Sequence, residues 1–255
     1  MAVAAVLAPF WAGGPAMTAP SMTALPELTR PATAILAAGV GVQRSWGWSL
    51  RAASFKLESP RAGQPALGVL VSSRTAASAI VDLLAGLIAP SYGELRVLGE
   101  DMRTERGRMA VRARIGVVRR GGLVAGGIAG RVRIRGLVEH AARATRLPRR
   151  DRNLLIADIL DRLALLPWAD VPLRAAPDPV ARRARLAAAA VHQPELLLID
   201  GLLDDLDPLE TGELAASVRD IGLDTGIVAA GQDADALAMT CGDVLTLANG
   251  ILVPG

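Results

Sequence analysis

Residues 66–87 read ALGVLVSSRTAASAIVDLLAGL. Ala66–Val71 is an unbroken apolar run, the pattern of a strand whose sheet is covered on both faces. After the polar SSRTAAS comes AIVDLLAGL. There Ile80, Val81, Leu83, Leu84 and Leu87 recur at helical spacing, and Gly86 and Pro90 end the pattern. A second fully apolar run, Leu196–Ile199, closes on Asp200. Further strands are expected at Thr33–Val42, Ser54–Leu57, Glu94–Leu98, Ile115–Val118, Ile227–Ala230 and Val244–Leu247. Residues 124–173 are mainly helical by pattern, and Ala181–Val191 is an alanine-rich helix. Asp207-Pro208-Leu209-Glu210 opens another helix: Asp as cap, Pro at the first position, Glu three residues after the cap. Strands alternating with helices predict an α/β domain built on a parallel sheet.

Composition narrows the chemistry. With 51% apolar residues and a mean hydropathy of +0.35 the chain is not intrinsically disordered. Aromatics are only 3%, so Ala, Leu and Val must fill the core. The single cysteine, Cys241, excludes an intramolecular disulfide and reads as a buried thiol. Two histidines, His140 and His192, argue against a multi-histidine metal site. Among 28 basic residues only Lys56 is a lysine.

The net charge of +3 hides an uneven distribution. Residues 103–152 carry fifteen arginines against Glu105, Glu139 and Asp151, whereas residues 195–224 carry nine acids against Arg219. Such a basic stretch suits a solvated helical surface, an anionic membrane surface or an acidic protein face. No aromatic interleaves it, so stacking on nucleic-acid bases is not expected. Residues 1–26 carry no charge and are interrupted by Pro9, Gly13, Gly14, Pro15 and Pro20. Residues 1–30 therefore read as a disordered leader or an over-extended start, with Met17 or Met22 as the true beginning, rather than a membrane span or signal peptide.

Several stretches in order resemble the ATP-binding cassette (ABC) family. Leu83–Leu87 followed by Pro90–Asp101 is similar to the segment after that family's phosphate loop. Ile115-Gly116-Val117-Val118 resembles the strand before its Q-loop, and His192 to Asp200 (HQPELLLID) its Walker B approach. Leu206-Asp207-Pro208 matches the end of its D-loop. The resemblance covers residues 33–253. It implies a P-loop NTPase-like cassette over 31–255: a parallel core sheet, a small antiparallel β part drawn mainly from 33–65, and a helical lobe at about 121–185. It also implies a subunit at the inner face of the cell membrane, working with a second cassette and a membrane permease. No nucleic-acid partner is expected.

The catalytic positions carried over by the resemblance are filled unusually. The family's phosphate loop, GxxGxGK[ST], aligns with Val71–Ser78. Its glycines let backbone N–H groups curl round phosphate and its lysine reaches the β and γ phosphates. Val71, Arg74 and Ala76 stand at the glycines, Ala77 at the lysine, and Ser78 remains as a possible Mg²⁺ hydroxyl. Arg74 and Thr75 with Ser78 form a remnant nucleotide site, or Arg74 is a solvated loop arginine. Asp200 either holds Mg²⁺ through water or is a polar strand end. Trp46 stands where the family stacks an aromatic on adenine, or packs a sheet edge. Gly201 replaces the catalytic glutamate, Gln232 the histidine and Arg120 the Q-loop glutamine. Ala176-Pro177-Asp178-Pro179-Val180 replaces the LSGGQ signature. A lost general base costs roughly 10²–10⁴ in rate, and a lost phosphate clamp a comparable factor.

These losses imply a degenerate, pseudo-ATPase transporter subunit for which ATP and Mg are weak or absent cofactors. The alternatives are a scaffold or regulator reusing the fold, or a residual ATPase relying on Arg74 and Ser78. Gene neighbourhood separates the first two, since an adjacent intact cassette and permease favour the transporter subunit.

Overall fold

The computed structural model describes residues 33–44, 47–58, 66–119, 131–143, 145 and 147–254. The leader expected at 1–30, Trp46 and Arg120 lie outside them.

Two sheets organise the chain. The first is antiparallel, with order β2-β1-β4-β5. Strands β1 (Thr33–Arg44) and β2 (Gly47–Glu58) pair with each other, β4 (Tyr92–Val97) pairs with β1, and β5 (Glu100–Asp101) closes the edge. The expected antiparallel part thus takes in two strands from 92–101 as well as the 33–65 region. The second sheet has order β10-β9-β3-β8-β7-β6. Its members are β3 (Ala66–Val71), β6 (Ile115–Arg119), β7 (Leu196–Asp200), β8 (Gly226–Gly231), β9 (Asp243–Ala248) and β10 (Ile251–Pro254). All its pairings are parallel except β9 with β10.

Strand β7 explains why this sheet reads as continuous apolar runs. All five of its residues are buried. Leu197 and Ile199 join one core, with helices α3 (Ile134–Ala142), α4 (Arg149–Arg162), α5 (Asp178–Ala190), α6 (Pro208–Gly222) and α7 (Ala234–Thr240). Leu196 and Leu198, pointing to the opposite face, join a second core with α1 (Arg74–Leu84), α2 (Glu105–Arg112) and the antiparallel sheet. Cys241 is buried in the first core.

Helix α1 begins at Arg74, several residues before its apolar pattern does. Ser73 is the reason. Its extended backbone and side-chain oxygen cap the helix, and only Ser72 and Ser73 separate it from β3. Helix α6 begins as its sequence predicts. Asp207 Oδ1 accepts from Glu210 N at 2.8 Å, and Glu210 Oε2 accepts from Asp207 N at 3.4 Å. Over 131–175 the described residues form α3, α4 and two short 3-10 turns, Leu166–Trp168 and Leu173–Ala175. Helices α2 and α7 and strands β5 and β10 were not expected from pattern. Each is short, between two and eight residues, too brief for periodicity to register.

Candidate functional site

The site gathers where β3, β6 and β7 end and α1 begins. Ser73 accepts from the N–H groups of Ala76 and Ala77 in the first turn of α1. Its carbonyl accepts from Ala76 N at 3.1 Å and Ala77 N at 3.2 Å, and its Oγ from Ala76 N at 3.3 Å. No residue of Val71–Ser78 has a positive φ. An anion-binding nest alternates right- and left-handed residues so that successive N–H groups converge. Here the same stretch is ordinary helix from Arg74 onward. Arg74 and Thr75 are exposed in the first turn. Arg74 Nη2 pairs with Asp205 Oδ2 at 3.1 Å, both side chains well exposed. Ala77 is buried, at 2% exposure, in the core beneath the antiparallel sheet.

Ser78 and Asp200 do come together. Ser78 Oγ donates to Asp200 Oδ2 at 2.7 Å. Arg119, paired in register with Asp200 on the neighbouring strand, donates from Nη1 to the same oxygen at 3.3 Å. Its Nη2 donates to Asp82 Oδ1, one turn beyond Ser78 on α1. Burial raises the Asp200 pKa, and so do the Asp82 and Asp204 charges, while the Ser78 hydrogen bond and the Arg119 charge oppose them.

The turn after β7 is held from several sides. Gly201 has φ +62°, and its N–H donates to the Ala230 carbonyl at 2.8 Å. Asp204 is buried, and its Oδ1 accepts from Gln232 N at 2.8 Å and Asp233 N at 3.3 Å. The Gln232 side chain donates from Nε2 to the Ser72 carbonyl at 3.1 Å, tying the β8 end to the β3–α1 connection. Arg182 on α5, itself buried, donates to the carbonyls of Leu202 at 2.7 Å and Asp204 at 2.6 Å. Asp207 and Pro208 are exposed at the start of α6, with Leu206 half-buried before them. Pro177 and Pro179 sit at the beginning of α5, where they remove backbone donors.

Arg119, Asp82, Arg182 and Asp204 belong to none of the sequence motifs. The one signal for Arg119 is its place: a charge closing the apolar run IGVV on the strand beside the Asp200 strand. Among the described residues no group of three or more His, Cys, Asp or Glu gathers to hold a metal ion. Nor is any described helix long and apolar enough to cross a membrane.

A parallel sheet whose central strand leads through a two-residue turn into α1, with Asp200 at the end of β7 beside that helix, is the fold of P-loop NTPases. Solved structures give the fold a narrower place. CbiO1 of Clostridium perfringens, described as part of the ABC transporter complex CbiONQ, superposes with a TM-score of 0.75 at 18% identity, covering 87% of each chain. The dimeric bacterial ABC transporter cassette MJ0796 gives 0.71 at 14% identity, covering 86% of this chain and 96% of its own. In sequence, the methionine import ATP-binding protein MetN 2 of Burkholderia mallei is 29% identical over 196 residues, 73% of this chain and 47% of its own length. The chain thus spans about half the length of that curated relative. No protein-family model matches the chain. In fold the chain matches ABC transporter cassettes, and in sequence it is similar to an ABC transporter ATP-binding protein.

Proposed function

We propose that the chain is a non-hydrolysing cassette subunit of an ABC transporter, a rigid second half that pairs with another cassette, a membrane permease, or both. The observation that carries this reading is at the phosphate loop. The N–H groups of Ala76 and Ala77 are taken by Ser73, and the Ala77 side chain faces the core rather than a ligand. A lysine there would leave its charge in apolar surroundings. Mg²⁺ and ATP held in the family's manner do not fit these residues, so both are weak or absent cofactors, and Arg74, Thr75 and Ser78 are remnants of the nucleotide site. Gly201 offers no carboxylate to orient water, and its positive φ disfavours a glutamate. The prolines at 177 and 179 leave the signature position poorly able to complete a partner's site.

Residues 31–255 form the cassette, with the helical subdomain at about 121–185. The surface around Leu206–Pro208 and the arginines of 103–152 supply partner contacts. CbiO1 as part of a transporter complex and MJ0796 as a dimer support such partners. The place of work is the cytoplasmic face of the cell membrane, reached through the permease.

The test is steady-state phosphate release from Mg²⁺ and ATP by the purified chain. The expected rate equals the blank, for the wild type and for Ala77→Lys alike. Clear turnover that disappears on Asp200→Ala overturns the proposal.

A further inference from the structure

We infer that Arg119 is a resident cation, its guanidinium standing in for a divalent ion at the Ser78–Asp82–Asp200 oxygens and fastening α1 to β6 and β7 without any ligand. The inference rests on the reading of the chain as a non-hydrolysing cassette.

Two carboxylates and a hydroxyl converge here from two elements, Ser78 and Asp82 from α1 and Asp200 from β7. Such hard oxygen donors are what Mg²⁺ takes, at about 2.0–2.1 Å and in near-octahedral geometry. The oxygens are already engaged. Asp200 Oδ2 accepts from Ser78 Oγ at 2.7 Å and from Arg119 Nη1 at 3.3 Å, and Asp82 Oδ1 accepts from Arg119 Nη2. A metal ion at Asp200 Oδ2 would displace a hydrogen bond and lie against a permanent positive charge. Arginine suits the bridging task because its planar fork reaches two acceptors at once, and it holds its proton at any physiological pH.

The geometry is set by the backbone rather than by a flexible tether. Arg119 and Asp200 are register partners at the C-terminal ends of adjacent parallel strands. Ser78 and Asp82 are four residues apart on α1, so they share one helix face. The guanidinium is mostly shielded, with the Arg119 side chain 27% exposed against 23% for Asp82 and 10% for Asp200. In this chain the bridging cation belongs to the chain itself, so the join is present without any ligand, as a subunit that serves as a fixed half requires.

Removing the guanidinium should uncover the oxygens as a metal site. The experiment uses the full chain without nucleotide, with Mn²⁺ as the Mg²⁺ probe. Free Mn²⁺ is followed by electron paramagnetic resonance, and melting temperature is measured in Mg²⁺ or EDTA. Wild type should bind no Mn²⁺ at this site and melt at the same temperature in both solutions. Arg119→Ala should bind one Mn²⁺ per chain at least about tenfold tighter than wild type, and Mg²⁺ should raise its melting temperature. Arg119→Met, which keeps the stem, gives the same reading if the alanine variant does not fold. Adding Asp82→Asn or Asp200→Asn should abolish the gain. Wild-type Mn²⁺ binding that is lost on Asp200→Asn overturns the inference, as does a folded Arg119 variant that binds none. ATP turnover would sink the functional proposal instead, and it is read in a separate assay.

Discussion

Arg182 is the most demanding side chain in the molecule. It is 4% exposed, and its Nε donates to Asp178 Oδ2 at 2.7 Å while Nη1 serves the Leu202 and Asp204 carbonyls at 2.7 and 2.6 Å. Truncation would leave two carbonyl groups in a buried turn without donors, each costing about 1–3 kcal/mol. Arg182→Ala should therefore lose about 3 kcal/mol in urea unfolding. Arg182→Lys should recover little, because one ammonium cannot spread across the acceptors of a guanidinium fork. A loss below about 0.5 kcal/mol would show that the turn finds other donors. Surface arginines give the contrast. Hydrogen bonds from Arg103, side chain first and backbone second, hold the Asp101 pKa down to about 2, but the Arg103 and Asp101 side chains are 55% and 26% exposed. Water screens that pair, so it adds little to stability.

Among the elements, β6 is the edge strand that the site depends on, because it presents Arg119 to Asp200. It can lie close to α5 only because residue 116 is glycine. A Cβ there would meet the Ala189 carbonyl oxygen at 2.3 Å and Leu197 Cδ1 at 2.9 Å. Backbone must then move, so Gly116→Ala should cost about 1–3 kcal/mol, as overpacked cores do, and lower the melting temperature. An unchanged melting curve would mean that α5 shifts freely. The central strands were legible because both faces of the sheet are covered, which removes polar residues from β3, β7 and β8. The start of α1 was not, since a serine cap competes with a glycine-loop pattern and only the backbone decides between them. At the site, Ser78 with Asp200 followed from motif order. Arg119 with Asp82 did not, because their meeting depends on how helix α1 packs beside β6, between residues 37 apart in the chain.

On the scale of the whole molecule, two cores share one sheet, and two shielded titratable groups, half-buried His192 and buried Asp200, link to pH in opposite directions. His192 follows α5 and precedes β7, with Nε2 at 3.1 Å from the Ile115 carbonyl on β6. Burial lowers its pKa, against a smaller opposing effect of that hydrogen bond. An unfolded histidine takes its proton near pH 6.5, whereas the folded one takes it only at lower pH. Between those values the unfolded chain binds more protons. The stability His192 supports is thus full above about pH 6.5 and is lost as pH falls towards and through its folded value. Asp200 works the other way. Burial raises its pKa, so its contribution is present below the ordinary aspartate value and lost as pH rises through the folded one. On acidification the two groups therefore act in opposite directions, loss of the His192 contribution being offset by protonation of Asp200. Wild type should melt at a lower temperature at about pH 5.5 than at about pH 7.5. His192→Asn, whose side-chain amide can donate to the Ile115 carbonyl without titrating, should shrink that difference. Melting curves of the two proteins across this range decide the point: equal slopes would place the acid sensitivity in the surface carboxylates rather than at the seam between α5 and β6.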